Sequence, residues 1–251
     1  MKKNLTLTLA ATLLGATALP MIQLAETTPD GGEYVSNGVI EFTPNTDPTD
    51  PVDPTDPTDP VDPVDPTDPE GPTEGTNGPL SIDYASSFYF GENKITSKDQ
   101  TYYALPQTYH KTDKDGKVTE HVGPNYVQVT DNRGTETGWS LQVTQDDQFK
   151  TAKDQYLTGA ILTLENGVVV SKSESKFPTG YETITLKGTG EAEDVMTATD
   201  GAGAGTYLLT WGTDADSGAK SVSLFVPGST TKYAATYHTK LTWSLTDVPK
   251  G

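Results

Sequence analysis

Tyr237-His238-Thr239-Lys240-Leu241-Thr242-Trp243-Ser244-Leu245-Thr246-Asp247-Val248-Pro249 alternates apolar and polar side chains from Leu241 to Leu245. Successive side chains of a strand point to opposite faces, so Leu241, Trp243 and Leu245 share one face and Thr242 and Ser244 the other. Gly138-Trp139-Ser140-Leu141-Gln142-Val143, about a hundred residues upstream, repeats the pattern. A Trp whose own face carries aliphatic neighbours belongs in a core, where burial contributes a few kcal/mol. A sugar-binding platform would instead leave the indole face open to solvent. The alternation therefore reads Trp139, Leu141, Trp243 and Leu245 as core residues, and the closing stretch as a terminal strand. Trp211, which shares a face with Tyr207 and Leu209, follows the same rule.

The rest of the chain beyond Leu80 has the same character. Short runs rich in β-branched and aromatic residues recur at 102–105, 126–130, 139–144, 160–165, 168–171, 182–186, 206–211, 221–226 and 240–245. Gly, Pro, Asn and Asp bound them, and no segment sustains a helical period. Asn166-Gly167 and Asp115-Gly116 suit tight hairpins, which place two consecutive residues at positive φ. The expected fold is all-β: a single antiparallel β-sandwich or open barrel of about nine to twelve short strands.

Upstream, Lys2 and Lys3 precede an apolar run over residues 5–18, the pattern of a secretory signal too short for a confident membrane-spanning helix. Cleavage after Ala25 is favoured, so residues 1–25 are expected to leave an exported protein. Residues 26–46 form an N-terminal segment in which Glu33 to Phe42 surrounds an Asn-Gly with strand formers. This is expected to be a docked hairpin or a single bulged strand. From 47 to 79 runs an Asp-Pro-Thr and Asp-Pro-Val repeat of period three, passing into a Gly/Pro-rich tail. Proline blocks helix and removes ladder donors, and eight aspartates with no base among them repel one another. This segment reads as a disordered, semi-rigid linker that would span roughly 100 Å if fully extended. Residues 80–251 form the expected folded domain.

Composition excludes several chemistries. With no cysteine in 251 residues there is no disulfide, thiolate metal site, cysteine nucleophile or lipidated cysteine. A net charge of −18 opposes nucleic acid and anionic lipid as partners. Asp146-Asp147 is the best acidic pair for glycoside chemistry, yet adjacent strand residues face opposite ways, so no catalytic residue is assigned. His110 and His121 flank the Asp115-Gly116 turn without a third ligand, and no metal or cofactor site is expected. Glycines 201, 203 and 205 read as a flexible loop. Leu105-Pro106-Gln107-Thr108-Tyr109 looks like a sortase signal with Tyr109 in place of glycine and no hydrophobic, basic tail behind it, so attachment is expected to be non-covalent. The aromatic-rich stretch Tyr84, Phe88, Tyr89, Phe90, Tyr102, Tyr103 and Tyr109 is a candidate face of which some members must be core, and Tyr84, Tyr89, Tyr102, Tyr103 and Tyr109 are the candidate contact residues.

Gly138-Trp139-Ser140-Leu141 with Gln145-Asp146-Asp147-Gln148-Phe149, and Leu241 to Leu245 with Asp247-Val248-Pro249, together resemble the paired motif of WxL surface proteins of Gram-positive bacteria. The signal, the lead-in from Ser36-Asn-Gly38 to Phe42-Thr-Pro-Asn45 and the Asp-Pro repeat are similar to small WxL proteins as well, so the resemblance covers nearly the whole chain. It implies a secreted protein held non-covalently at the bacterial cell wall surface, binding peptidoglycan through residues 80–251. Its implied partners are a WxL-interacting surface protein and other WxL proteins, with no membrane span of its own. Other readings are an adhesin or partner-protein receptor without direct glycan binding and, more remotely, a glycan-cleaving enzyme.

Overall fold

The computed structural model describes residues 34–249; the expected signal peptide lies outside them. Two units are distinguished, one ending at Glu41 and the other beginning at Phe42. In the first, residues 34–41 form no strand, and Tyr34, Val35, Val39 and Ile40 are at least 76% exposed. The expected hairpin is therefore not formed.

The second unit is almost entirely β. Its strands are β1 (Val52–Asp53), β2 (Asp56–Pro60), β3 (Asp62–Pro63), β4 (Leu80–Ala85), β5 (Gln100–Tyr103), β6 (Gln107–Thr112), β7 (Val118–Gly123), β8 (Asn125–Asp131) and β9 (Trp139–Gln145). There follow β10 (Ile161–Leu164), β11 (Gly167–Val170), β12 (Thr179–Gly180), β13 (Ile184–Leu186), β14 (Ala192–Ala198), β15 (Gly205–Trp211), β16 (Val222–Val226) and β17 (Leu241–Thr246), with a single helical turn, α1 (Ala215–Gly218), before β16. Strands pair antiparallel in three four-stranded sheets, β11-β15-β8-β4, β12-β14-β9-β17 and β13-β10-β16-β5, beside a three-stranded sheet, β3-β6-β7, and the ribbon β1-β2. The all-β sandwich expectation holds. The strand total is higher than expected, partly because the Asp-Pro repeat contributes β1 to β3.

The two Trp-x-Leu stretches are adjacent strands. Leu245 lies opposite Leu141 and Trp243 opposite Val143. Because the strands run antiparallel, pairing of the leucines sends the two indoles to different parts of the core. Trp139, Leu141 and Val143 are completely buried. On β17 the corresponding side chains are only partly buried, because β9 has a strand on either side whereas β17 is a sheet edge.

β8 is buried at all seven positions. Val127 and Val129 enter the main core, while Tyr126 and Gln128 face the other way. That second face is covered by the Asp-Pro repeat. Gln128 Oε1 accepts from Val52 N at 2.8 Å, and its Nε2 donates to Asp50 O at 3.0 Å and Asp83 Oδ2 at 2.9 Å. Val52 packs with Tyr84, Tyr126 and Leu208, and Val61 is buried.

The expectation of a free spacer is thus corrected for this part of 47–79. The physical reason lies in the triplet itself. Asp53 Oδ1 accepts from both the N–H and the hydroxyl of Thr55 at 2.7 Å, and Asp65 does the same with Thr67. These two Asp-Pro-Thr triplets are local turns that satisfy their own polar groups. β3 then pairs with β6 through Asp62 opposite His110 and Pro63 opposite Tyr109. Farther along, Thr76 N donates to Ile82 O at 2.8 Å.

Candidate functional site

Two loops and the ends of several strands enclose an open groove of about 740 Å³. Residues 87–95, which leave β4, form one wall, and residues 232–239, which lead into β17, form the other. Tyr102 of β5, Leu162 of β10, Leu224 and Val226 of β16, Phe149 and Leu157 line it between these walls. The floor is apolar because these strands turn one face to the core. The rim is aromatic and polar: Tyr89 and Tyr233 are exposed, with Lys232, His238 and Thr239 beside them.

Interlocked contacts hold the walls. Phe90 meets Phe149 edge to face with centroids 6.1 Å apart, and Phe88 meets Trp211 at 5.9 Å. Trp211 lies 6.0 Å from Trp243, so the partly buried indole of β17 is linked through Trp211 to the loop that forms the first wall. In the second wall the Tyr237 hydroxyl accepts from Tyr233 N at 2.8 Å, and Lys232 Nζ donates to Pro227 O at 2.8 Å. Lys150 and His238 exchange backbone hydrogen bonds of 2.9 and 2.8 Å, which fasten this wall beside Phe149.

A family model described as WxL domain, surface cell wall-binding, matches residues 29–249. The chain belongs to the WxL family. No curated protein and no solved structure matches it. Membership carries attachment at the cell wall surface, and the match takes in the Asp-Pro repeat, in keeping with its packing against the WxL domain. No described helix is long and apolar enough to cross a membrane.

The structure separates the sequence candidates. Tyr89 and Tyr102 line the groove, and Tyr103 is half exposed on β5 just outside it. Tyr84 and Tyr109 do not belong with them, being 4% and 2% exposed. Their hydroxyls donate inward, Tyr84 to Gln107 Oε1 at 2.7 Å and Tyr109 to Asp53 Oδ1 at 3.0 Å. Burial and the Asp53 carboxylate push the Tyr109 phenol up to about 12. These two rings seat the Asp-Pro repeat and present no face to a ligand.

Trp139 and Leu141 are fully buried and Trp243 and Leu245 partly so. Trp139 Nε1 donates to Gly203 O at 2.9 Å. Gly203, at φ +80°, has no room for a side chain: a Cβ there would stand 2.5 Å from Ala198 Cβ and 2.7 Å from Trp139 Nε1. The glycine-rich stretch read as a flexible loop is therefore a close-fitting cap over the indole. Phe88 and Phe90 belong to the aromatic stretch singled out from the sequence, whereas Tyr233 and Tyr237 were missed as groove residues. Tyr233 and Tyr237 sit in a stretch without strand periodicity, which gave no signal.

The remaining polar candidates are engaged with neighbours in the fold. Asp146 accepts from Thr242 Oγ1 at 2.9 Å and pairs with Lys240 at 3.4 Å, while Asp147 pairs with Lys150 at 3.4 Å. His121 stacks on Tyr109 with centroids 5.8 Å apart, and its partner across the ladder is Tyr109, whereas His110 faces Glu120. Among the described residues no three metal-ligating side chains gather.

Proposed function

We propose that this chain is an exported surface protein whose WxL domain holds non-covalently to peptidoglycan through the aromatic groove, within a complex containing a WxL-interacting surface protein and other WxL proteins. The observation that carries this reading is the groove itself. It combines an apolar floor with tyrosine rims, the composition that stacks on sugar faces while edge groups accept and donate hydrogen bonds. Charge supports it by elimination. An acidic domain is repelled by anionic wall polymers, so long-range attraction does not drive attachment.

The acids support binding without catalysis. Asp146 and Asp147, the best acidic pair in the sequence, are engaged by Thr242, Lys240 and Lys150. The test is retention on purified, protein-free peptidoglycan. The chain is expected to sediment with the wall, and Tyr89→Ala with Tyr233→Ala to reduce the retained fraction while leaving the melting temperature unchanged. Retention only in the presence of an accessory surface protein would favour the partner-receptor reading, and release of soluble muropeptides would establish an enzyme.

A further inference from the structure

The bend that follows β9 carries two glutamines whose amide oxygens have nothing to accept from. Gln145, at the end of β9, is 2% exposed. Thr239 Oγ1 donates its one hydroxyl proton to Asp147 O at 2.6 Å, so it accepts from Gln145 Nε2 at 3.3 Å. That contact orients the amide and turns Gln145 Oε1 away from Thr239. Gln148 is oriented in the same sense, its Nε2 donating to Ala160 O at 3.1 Å and to Lys187 O. Both Oε1 atoms are buried without a hydrogen-bond partner, two of only four such side-chain atoms among the described residues. A buried acceptor in that state carries its full desolvation cost.

Beside them lies a niche of about 20 Å³, room for one small ion or water. Gln145, Thr185, residues 186–189 and the acids Glu191 and Glu193 line it; Thr239 does not. The β9–β14 ladder explains why the acids are there. Glu193 lies opposite Val143 and Ala192 opposite Thr144, so one residue farther on Glu191 comes level with Gln145. Opposed residues of an antiparallel pair project to the same side, which puts both carboxylates on the face that carries Gln145. Gly190 N donates to Gln145 O at 3.2 Å and holds the loop against β9. Neither glutamate has an ion pair among the described residues, and Lys187, which also borders the niche, is exposed.

We propose that this niche is a calcium site, with Gln145 Oε1 and the carboxylates of Glu191 and Glu193 as protein ligands. Histidine, cysteine and acidic side chains do not gather in threes among the described residues, so the shell is completed by neutral oxygens and water. Calcium suits such a set, because it takes six to eight oxygens, amide oxygens included, in a loose geometry. Magnesium demands a near-ideal octahedron and keeps its water. Two carboxylates at a partly exposed site place the affinity at about 10⁻⁴–10⁻³ M, the range of extracellular modules. The bound ion ties β9 to the loop between β13 and β14 and, through Gln145, steadies Thr239 in the second wall of the groove. Ion binding itself requires no glycan.

Calorimetric titration with calcium chloride and thermal unfolding, both on chain first stripped with a chelator and dialysed, test the site. One calcium per chain is expected, with a melting temperature about 3–10 °C higher at 10 mM calcium. Magnesium chloride at the same ionic strength should give a clearly smaller rise. Glu191→Gln with Glu193→Gln should weaken calcium binding at least about tenfold and leave the calcium-free melting temperature unchanged. Glu174→Gln with Asp200→Asn, an exposed pair outside the niche, removes the same charge and should leave calcium binding intact. Should the niche variant fail to fold, the stoichiometry of the unaltered chain and its preference for calcium over magnesium still decide. No thermal shift up to 10 mM calcium, non-saturating uptake of several ions, an equal response to magnesium, or equal losses in the two variants would each overturn the proposal.

Discussion

Replacing Asp53 by alanine tests whether the Asp-Pro repeat is part of the fold. The carboxylate is 3% exposed and accepts from Thr55 N, Thr55 Oγ1 and Tyr109 Oη, with Lys111 Nζ at 2.5 Å. Breaking a buried pair by removing one partner costs about 3–5 kcal/mol. Here Lys111 is a quarter exposed and keeps Asp59 at 3.4 Å, so its stranding costs little. The loss is then mainly the three hydrogen bonds and the orphaned Tyr109 hydroxyl, about 3 kcal/mol. Asp56, half exposed and bonded only to Thr58 Oγ1 and Lys172, supplies the control, expected to cost under about 1 kcal/mol.

Urea unfolding at pH 7 measures both variants. The pH dependence adds a second check. Burial pushes the Asp53 carboxyl up, but Lys111, Thr55 and Tyr109 together outweigh it and leave it below 3.8. The stability it supplies is therefore complete above the unfolded value and disappears as pH falls through the lowered folded one. At the alkaline end, Lys111 is raised above 10.5 by Asp53, and Tyr109 from 10 to about 12. Their contribution is whole below pH 10 and is lost as pH climbs toward 12. The Asp53→Ala deficit should accordingly be full at pH 7 and shrink at pH 3. Equal costs for Asp53 and Asp56, or a deficit indifferent to acid, would refute the docked repeat.

Other outcomes follow from the same contacts. Gly203→Ala is expected to destabilise by about 2–4 kcal/mol, since its Cβ overlaps Ala198 and the Trp139 indole and its φ is positive; thermal unfolding measures it. Trp139→Phe, which loses the bond to Gly203 O and leaves a void in a fully buried site, should cost more than Trp243→Phe at the partly buried edge, by about 1–2 kcal/mol in urea melts. Wall retention should stay constant or rise as salt reaches about 1 M, where screening extends only about 3 Å; a steep fall in the retained fraction would contradict an uncharged mode of binding.

Period-two alternation was enough to read an all-β chain and to bury Trp139 and Leu141, because a strand's facing is a local property of the backbone. The Asp115-Gly116 turn was legible for the same reason, joining the paired strands β6 and β7 with Gly116 at φ 78°; the hairpin expected at Asn166-Gly167 does not form, because β10 and β11 pair in different sheets and only Asn166, at φ 58°, takes a positive φ. The WxL motifs themselves identified the family.

Other features depended on partners far away in sequence. β9 and β17 carry nearly the same residues, but only pairing with β14 on its far side makes β9 central and leaves Trp243 at an edge. Tyr84 and Tyr109 have the composition of a binding face. They became internal because a run of prolines and aspartates, which looks like a solvated spacer, lies over them. The groove likewise joins residues 87–95 to residues 232–239. Local sequence determines which way a side chain can point along a strand; what lies opposite it is decided by the long-range pairing that builds the sheets.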